Sequence, residues 1–263
     1  MNVPIRMLGI ATTIFWIILV GFIASAAYSM KDLNLGFGEP QFTAGSNHDL
    51  VLTLPLHIDN RGYYSLKGFN LTTVFSDAEG AEVSKSSTVV PVIPQAGNVT
   101  ILHNATLNID SMAKQNSQYI FDDSNLTCTV MAGLNFAELL PTQLAANIPF
   151  PWGAPFYNFN LGLPRYSRVD SSHSMAKVPL SFENHAAFDV TGNIRVKLYD
   201  GQNTLLGESQ KAINASKYSS YKGDLDFSVP STSIISNTNL SGHFEVYFST
   251  NMFDCGPVVI PYG

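Results

Sequence analysis

The sequence predicts an all-β protein, with two tandem β-sandwiches preceded by one transmembrane α-helix. Three observations predict this fold class: a long uncharged apolar run near the N-terminus, apolar residues that alternate with polar ones further on, and a block that occurs twice. Alternation with a period of two is typical of antiparallel strands with one buried face. Short strands separated by Asn, Gly and Asp turns are typical of a sandwich.

The amino-acid composition argues against two classes of protein, disordered polyelectrolytes and nucleic-acid binders. The 263 residues include 14 Lys and Arg and 20 Asp and Glu, which gives a net charge of −6, and only 13% of residues are charged. A disordered polyelectrolyte is excluded, because 45% of the residues are hydrophobic and the net charge is modest. We expect no nucleic-acid partner, because the chain lacks a basic surface.

The first element is the apolar run at residues 7–29, which contains no charged residue. As a helix it is long enough to cross the roughly 30 Å hydrocarbon core of a bilayer. Arg6 precedes the run, so the positive-inside rule predicts that residues 1–6 are cytoplasmic and that the chain after residue 30 is extracytoplasmic. We therefore expect a single-pass membrane protein that contacts the lipid bilayer through residues 7–29.

Two other interpretations of this segment remain open. Ala24-Ser25-Ala26 fits the cleavage site of a signal peptide, which would leave a secreted protein, although the apolar run exceeds the usual 7–15 residues. A pilin-type leader is the third interpretation, but Met7 stands where such leaders usually have a small residue. All three interpretations export the rest of the chain.

Two further features fit an exported protein. Cys128 and Cys255 would permit one disulfide in an oxidising compartment, and the alternative is two separate buried thiols. Six Asn-x-Ser/Thr sequons, which permit N-glycosylation where the host has the machinery, all follow the apolar run: Asn70, Asn98, Asn104, Asn125, Asn214 and Asn239.

The remaining chain contains an internal duplication. Residues 52–75 read LTLPLHIDNRGYYSLKGFNLTTVF, and residues 176–198 read AKVPLSFENHAAFDVTGNIRVKL. Asn60 and Asn184 occupy the same place in the two blocks. The spacing predicts a first sandwich at residues 30–147 and a second at residues 167–263.

Two segments are not assigned to these repeated strands. Residues 148–166 are rich in Pro and aromatic residues, so we expect a semi-rigid extended connector whose rings pack against a domain or an interdomain seam. An exposed docking patch is the alternative. The candidate soluble helix is Phe136 to Ala146, which Pro141 would limit to a few turns.

The repeated block resembles the WHy domain of the late-embryogenesis-abundant type 2 (LEA14-like) family. The resemblance rests on PLHIDNRGYYSLKGFNLTTVFSDAEG and PLSFENHAAFDVTGNIRVKLYDGQN and covers roughly residues 40–140 and 168–255. The Asn-Pro pair common in that family is replaced by Asn60-Arg61 and Asn184-His185. The resemblance implies fibronectin-III/Ig-like sandwiches without catalytic residues, a link to stress or desiccation tolerance, and an archaeal-type surface protein.

The side chains show no catalytic, cofactor or metal motif. The six histidines are scattered, and the sequence contains no His-Glu-x-x-His, Gly-x-Ser-x-Gly or phosphate-binding Gly-x-x-x-x-Gly-Lys motif. The acidic groups at residues 77–80 and 122–125 fit tight turns better than a cation site. We expect Asn60 and Asn184 to satisfy backbone groups where a strand ends. We therefore predict no catalytic residues, no cofactor and no metal.

These observations favour a non-enzymatic, membrane-anchored extracytoplasmic protein with a stress-protective, binding or structural role. One alternative is an accessory subunit of a larger membrane complex, with a protein partner at the cell surface. A surface-filament subunit is another. An exported enzyme, with a site assembled from loops at strand ends, is a third.

Overall fold

The computed structural model describes residues 3–45, 48–136, 140–170, 172–231 and 241–263. It confirms the predicted fold class, since an N-terminal helix is followed by sandwich-like antiparallel sheets and most of the described residues are in strands. Helix α1 spans Val3–Met30. Within the described residues, its segment Thr12–Met30 is the one helix long and apolar enough to cross a membrane.

The first sandwich has eight strands in two antiparallel sheets. The strands are β1 (Leu33–Phe37), β2 (Gln41–Ala44), β3 (Asp49–Asn60), β4 (Leu66–Ser76), β5 (Glu82–Ile93), β6 (Gly97–Asn108), β7 (Ser124–Phe136) and β8 (Leu140–Trp152). In one sheet β3 lies between β6 and the two short strands β1 and β2, and the other sheet has the order β5-β4-β7-β8.

The second sandwich repeats this strand order. The strands are β9 (Tyr157–Leu161), β10 (Arg165–Arg168), β11 (His173–Asn184), β12 (Val190–Asp200), β13 (Leu205–Ala215), β14 (Ser219–Pro230), β15 (Gly242–Thr250) and β16 (Asp254–Tyr262). In one sheet β11 lies between β14 and the short strands β9 and β10, and the other sheet has the order β13-β12-β15-β16.

Strand β11 shows how the sequence pattern forms these sheets. Ala176, Val178, Leu180 and Phe182 are buried, and the residues between them are exposed or half-buried. This alternation places one face of the strand in the core. Fully burying one such side chain stabilises the fold by about 1.5–3 kcal/mol.

Two apolar clusters fill the interior. The larger is continuous from Leu50 and Phe75 in the first sandwich to Phe182 and Phe253 in the second. The smaller lies at the opposite end of the first sandwich, where Leu56 and Phe69 pack with Ala26 of α1. The second sandwich is therefore joined to the first through shared core packing.

The predicted soluble helix is wrong. Phe136 is the last residue of β7, residues 137–139 lie outside the described residues, and residues 140–146 belong to β8. Pro141 is tolerated because β8 is an edge strand, where a backbone nitrogen can face away from the sheet.

Two short helices form elsewhere, between β6 and β7. Helix α2 spans Ile109–Gln115 and helix α3 spans Gln118–Phe121. The Asn108 side chain accepts a 2.7 Å hydrogen bond from the Ser111 N–H and so caps α2. This N-terminal capping residue is present in the sequence directly before the helix.

The predicted connector at residues 148–166 is also corrected. Its first residues complete β8, and the rest contributes β9 and the start of β10. Trp152 and Phe156 are buried in the larger core cluster. The aromatic residues therefore belong to the two sandwiches and their junction, and the prolines lie on or beside edge strands.

Candidate binding cleft between the two sandwiches

A cleft of about 560 Å³ lies where the two sandwiches meet. The end of β8 and the start of β7 form one wall, and the β11–β12 loop and the β13–β14 turn form the other. Phe42, Asp123, Ser124, Asn125 and Trp152 line it from the first sandwich, and Glu183, His185, Tyr218, Ser219 and Ser220 line it from the second.

Hydrogen bonds that involve the backbone hold the two walls in place. The Ala154 N–H donates to Asp123 Oδ1 at 2.8 Å, and the His185 N–H donates to the Ala154 carbonyl at 2.9 Å. The Trp152 indole N–H donates to the Tyr119 carbonyl at 2.7 Å. The segment between the sandwiches is thus bonded to both of them.

His185 lies between two carboxylates. Its Nδ1 is 2.7 Å from Asp123 Oδ2 in the first sandwich, and its Nε2 is 3.1 Å from Glu183 Oε2 in the second. The ring stacks on Tyr157 with the centroids 4.3 Å apart. The hydrogen bond to Asp123 raises the pKa of His185, because the protonated ring can donate to both acids.

Ser124 has a polar atom that the fold does not satisfy. Its Oγ is buried and has no hydrogen-bond partner within the part of the chain that the structure describes. Buried hydroxyls are normally hydrogen-bonded. Ser124 is also one of the residues that line the cleft.

Tyr218 is presented to solvent by an unusual backbone conformation. It has φ +57° and is 69% exposed, at the turn between β13 and β14. Ala96 holds the equivalent turn position in the first sandwich, with φ +53°. The turn geometry is therefore a feature of the repeat, whereas the aromatic ring is specific to the cleft.

Asn184 ties the two loops of the second wall together. Its side-chain amide donates to the carbonyls of Phe188, Ala215 and Ser216 at 2.9, 3.1 and 3.0 Å. Its Oδ1 accepts from the Ala186 N–H at 3.0 Å. The fully buried Asn184 side chain thus connects the β11–β12 loop to the segment before Tyr218.

Asn60 makes the corresponding contacts at the other end of the first sandwich. Its amide donates to the carbonyls of Tyr64 and Pro94 at 2.9 and 3.0 Å, and its Oδ1 accepts from the Gly62 N–H. It is also fully buried. The loop that it shapes contacts α1 rather than the cleft.

The sequon asparagines are distributed over the surface. Asn70, Asn98, Asn104, Asn125 and Asn214 are all exposed. Asn239 lies outside the described residues. Asn125 is set apart by its location, because it lines the cleft.

The disulfide that the two cysteines would permit is not formed. Cys128 is buried on β7 of the first sandwich, Cys255 is half-buried on β16 of the second, and both are free thiols. Burial raises the pKa of both thiols. Each packs with the apolar core, which agrees with the alternative of two separate thiols.

The acidic groups have different surroundings. Asp77 belongs to a tight turn, in which its Oδ1 accepts from the Ala81 N–H at 2.8 Å. Asp123, by contrast, binds across the seam between the sandwiches. Across the described residues, no group of three or more His, Cys, Asp or Glu side chains is arranged to hold a metal ion.

His103 and His185 were not singled out as candidate functional residues from the sequence. His103 is buried, with its ring nitrogens 2.8 Å from the Thr73 and Thr88 hydroxyls, and burial lowers its pKa. Its place among Val99, Ile101 and Ala105 in an alternating strand carried the signal. The contact between His185 and Asp123 joins residues of different sandwiches, and no sequence pattern signals it.

Comparisons with known proteins do not assign a family. No protein-family model matches the chain, and no curated protein matches it. A structure described as ApaA from Bordetella pertussis is 12% identical, with 47% of this chain and 94% of that chain covered and a TM-score of 0.30. Red sea bream transglutaminase is 16% identical, with 84% of this chain and 29% of the transglutaminase chain covered and a TM-score of 0.31. A glycoside hydrolase family 2 β-glucuronidase is 16% identical, with 49% of this chain and 12% of the glucuronidase chain covered and a TM-score of 0.28. At these TM-scores the likenesses carry no argument about function.

Proposed function

We propose that this protein is a non-enzymatic, membrane-anchored extracytoplasmic binding protein. Helix α1 is its anchor, and the two sandwiches form a single body that presents the cleft away from the membrane. The resemblance to the LEA type 2 family adds a stress-protective role to the proposal. The observation that carries the proposal is the way in which the end of α1 packs on the first sandwich.

The last turns of α1 are part of the folded body. Ala26 and Ser29 are fully buried, and the Ser29 Oγ accepts from the Tyr63 N–H at 2.7 Å. The Ser25 Oγ is 2.6 Å from the Tyr64 hydroxyl. Upstream, the apolar side chains of residues 14–18 and of Val20 are exposed. Such a patch is characteristic of a surface that meets lipid or protein.

This packing favours an anchor over a cleaved signal peptide. Cleavage after Ala24-Ser25-Ala26 would remove the Ser25 contact with Tyr64 and the buried Ala26. Phe22, whose ring meets Tyr64 edge-to-face at 5.7 Å, would be lost as well. The uncleaved chain satisfies these contacts within one fold.

The surroundings of His185 support a non-enzymatic role. A Ser-His-Asp triad needs a hydrogen bond between the hydroxyl and the imidazole. Both ring nitrogens of His185 contact carboxylates instead, and the Ser124 Oγ contacts neither of them. These contacts favour a role for His185 in connecting the two sandwiches over one in activating a nucleophile.

Labelling of intact cells with a membrane-impermeant amine reagent tests the proposed orientation of the chain. Lys85 and Lys222 are exposed, one on each sandwich. We expect both to be labelled before lysis, and the protein to stay in the membrane after alkaline extraction. Labelling only after lysis would contradict the orientation, and release at alkaline pH would contradict the anchor.

The accessory-subunit alternative is favoured by strand β8. On this edge strand the side chains of Leu144 and Ile148 are 64% and 51% exposed. They lie on the same face of the strand as Phe150, which points inward and contacts Phe75. In the equivalent strand β16, Val258 and Ile260 are half-buried against the core. An uncovered sheet edge can pair with a strand of another protein.

Cross-linking in native membranes tests this alternative. A stoichiometric partner cross-linked beside β8 would establish an accessory subunit. Recovery of the chain without such a partner would leave the first proposal in place.

A further inference from the structure

We propose that the cleft between the sandwiches is a saccharide-binding site. The proposal concerns the chemistry of the cleft, and its central binding test does not depend on where the cell places the chain. Three features carry it: the engagement of the carboxylates, the free neutral polar groups, and an exposed aromatic ring opposite a sequon.

The carboxylates of the cleft are already engaged within the protein. Asp123 accepts from Ala154 through one oxygen and contacts His185 through the other. Glu183 contacts the second ring nitrogen of His185. A protonated His185 offsets one of the two negative charges, so a cationic ligand would have to compete with it.

The polar groups that remain are neutral. Asn125 and Ser220 are exposed at the wall of the cleft, and Ser124 lines it as well, with an Oγ that has no hydrogen-bond partner among the described residues. Hydroxyl and amide groups both donate and accept hydrogen bonds. A ligand rich in hydroxyl groups matches this set, because each of its hydroxyls can also take either role.

Tyr218 supplies the apolar surface that a sugar ring needs. The left-handed backbone at φ +57° is uncommon for a bulky residue, and it holds a ring that is 69% exposed at the cleft. Phe42 lines the same cleft and is 40% exposed. The C–H face of a sugar ring can pack on such side chains while its hydroxyls reach the polar wall.

The size of the cleft suits a short saccharide. Its volume of about 560 Å³ lies within the usual range of small-molecule sites, roughly 300–1,000 Å³. The saccharide has two conceivable sources with the same chemistry. One is a free or cell-surface glycan, and the other is the protein's own N-linked glycan at Asn125. A cell-surface glycan and the N-linked glycan both rest on the proposed extracytoplasmic location, whereas a free saccharide does not.

The first arm of the test uses the full chain made in a host without N-glycosylation. The protein is purified in a detergent without a sugar headgroup, and binding of cellobiose and N,N′-diacetylchitobiose is followed by saturation-transfer NMR. We expect binding of at least one disaccharide. Tyr218→Asn should weaken it by roughly tenfold, a factor that corresponds to the loss of one good contact.

Two controls make this arm specific. Asn tolerates the left-handed backbone, so Tyr218→Asn should keep the wild-type Tm. Tyr247→Ala changes another aromatic residue, on β15 outside the cleft, and should leave binding unchanged. Loss of binding with Tyr247→Ala but not with Tyr218→Asn would overturn the proposal.

The second arm uses protein from native membranes. A glycan at Asn125 should be removed by an endoglycosidase more slowly than one at the exposed Asn98, and Tyr218→Asn should remove the difference. The proposal is overturned if neither disaccharide binds and Asn125 carries no protected glycan. It is also overturned if spermidine binds the cleft while the saccharides do not, since that result would show a cation site.

Discussion

His185 Nδ1 lies 2.7 Å from Asp123 Oδ2, across the seam between the two sandwiches. Asp123 also accepts from the Ala154 N–H, and the Ala154 carbonyl accepts from the His185 N–H. Side chain and backbone thus form one closed set of contacts at this seam. The same set borders the cleft, so the relative position of the sandwiches and the shape of the cleft depend on each other.

The seam should respond to pH. Because the pKa of His185 is raised in the folded protein, its contribution is fully present below the unfolded pKa of about 6.5. It is lost as the pH rises through the folded value. We expect His185→Gln to lower stability by about 0.5–1 kcal/mol at pH 5.5 and by less at pH 8.5, because the pair is partly exposed.

Thermal melts of wild type and His185→Gln across this pH range measure the difference. His57→Gln is the matched control, since His57 is exposed and its ring forms a hydrogen bond with the neutral Thr100 hydroxyl. A difference between wild type and His185→Gln that does not change with pH would contradict the charged contact.

His103 should have the opposite dependence. Its folded pKa is lowered by burial, so the unfolded chain binds more protons as the pH falls below about 6.5, and stability decreases there. His103→Leu should remove this acid-side loss. It should also cost about 1–3 kcal/mol at pH 7.5, because the Thr73 and Thr88 hydroxyls lose their partner. A variant that keeps the full acid-side loss of wild type would show that another group is responsible.

Both buried asparagines should be important for stability. We expect Asn60→Ala and Asn184→Ala each to lower the free energy of unfolding by about 2–3 kcal/mol, because several buried backbone groups lose a partner. Asn98→Ala, at an exposed position, should change it by less than about 0.5 kcal/mol. Urea unfolding gives these values, and wild-type stability in both buried-site variants would refute the structural role.

The packing of α1 can be tested through a pair of glycines. A Cβ at Gly62 would overlap Ser29, whereas a Cβ at Gly133 would meet nothing closer than 4.0 Å. Gly62→Ala should therefore displace the end of α1 from the first sandwich and speed tryptic cleavage at Lys31. Gly133→Ala should be cleaved like wild type. Equal cleavage of both variants would mean that α1 is not held by the Ser29 contacts.

The periodic parts of the fold were predictable from the sequence. The alternation in Val178, Leu180 and Phe182 indicated half-buried strands, and the duplicated block indicated a second sandwich. The helix assignment and the bounds of the connector were wrong because local composition was given more importance than tertiary context, whereas its rings are packed as expected. At β8, the prolines are compatible with an edge strand whose neighbour is fixed by the hairpin with β7.

The candidate site was less predictable. Asn184 was singled out because it recurs in the repeat, and its contacts shape one wall of the cleft. The pairing of Asp123 with His185 depends on how the two sandwiches meet, which no spacing encodes. The left-handed conformation of Tyr218 likewise depends on the turn between β13 and β14 rather than on its residue type.

We propose above that α1 is retained and docked on the first sandwich as an anchor. The intact mass and N-terminal peptide of the protein, purified from native membranes after removal of any glycans, test this. We expect a chain that still contains residues 7–29. A mature N-terminus at residue 27 or later would contradict it and would establish a secreted protein instead.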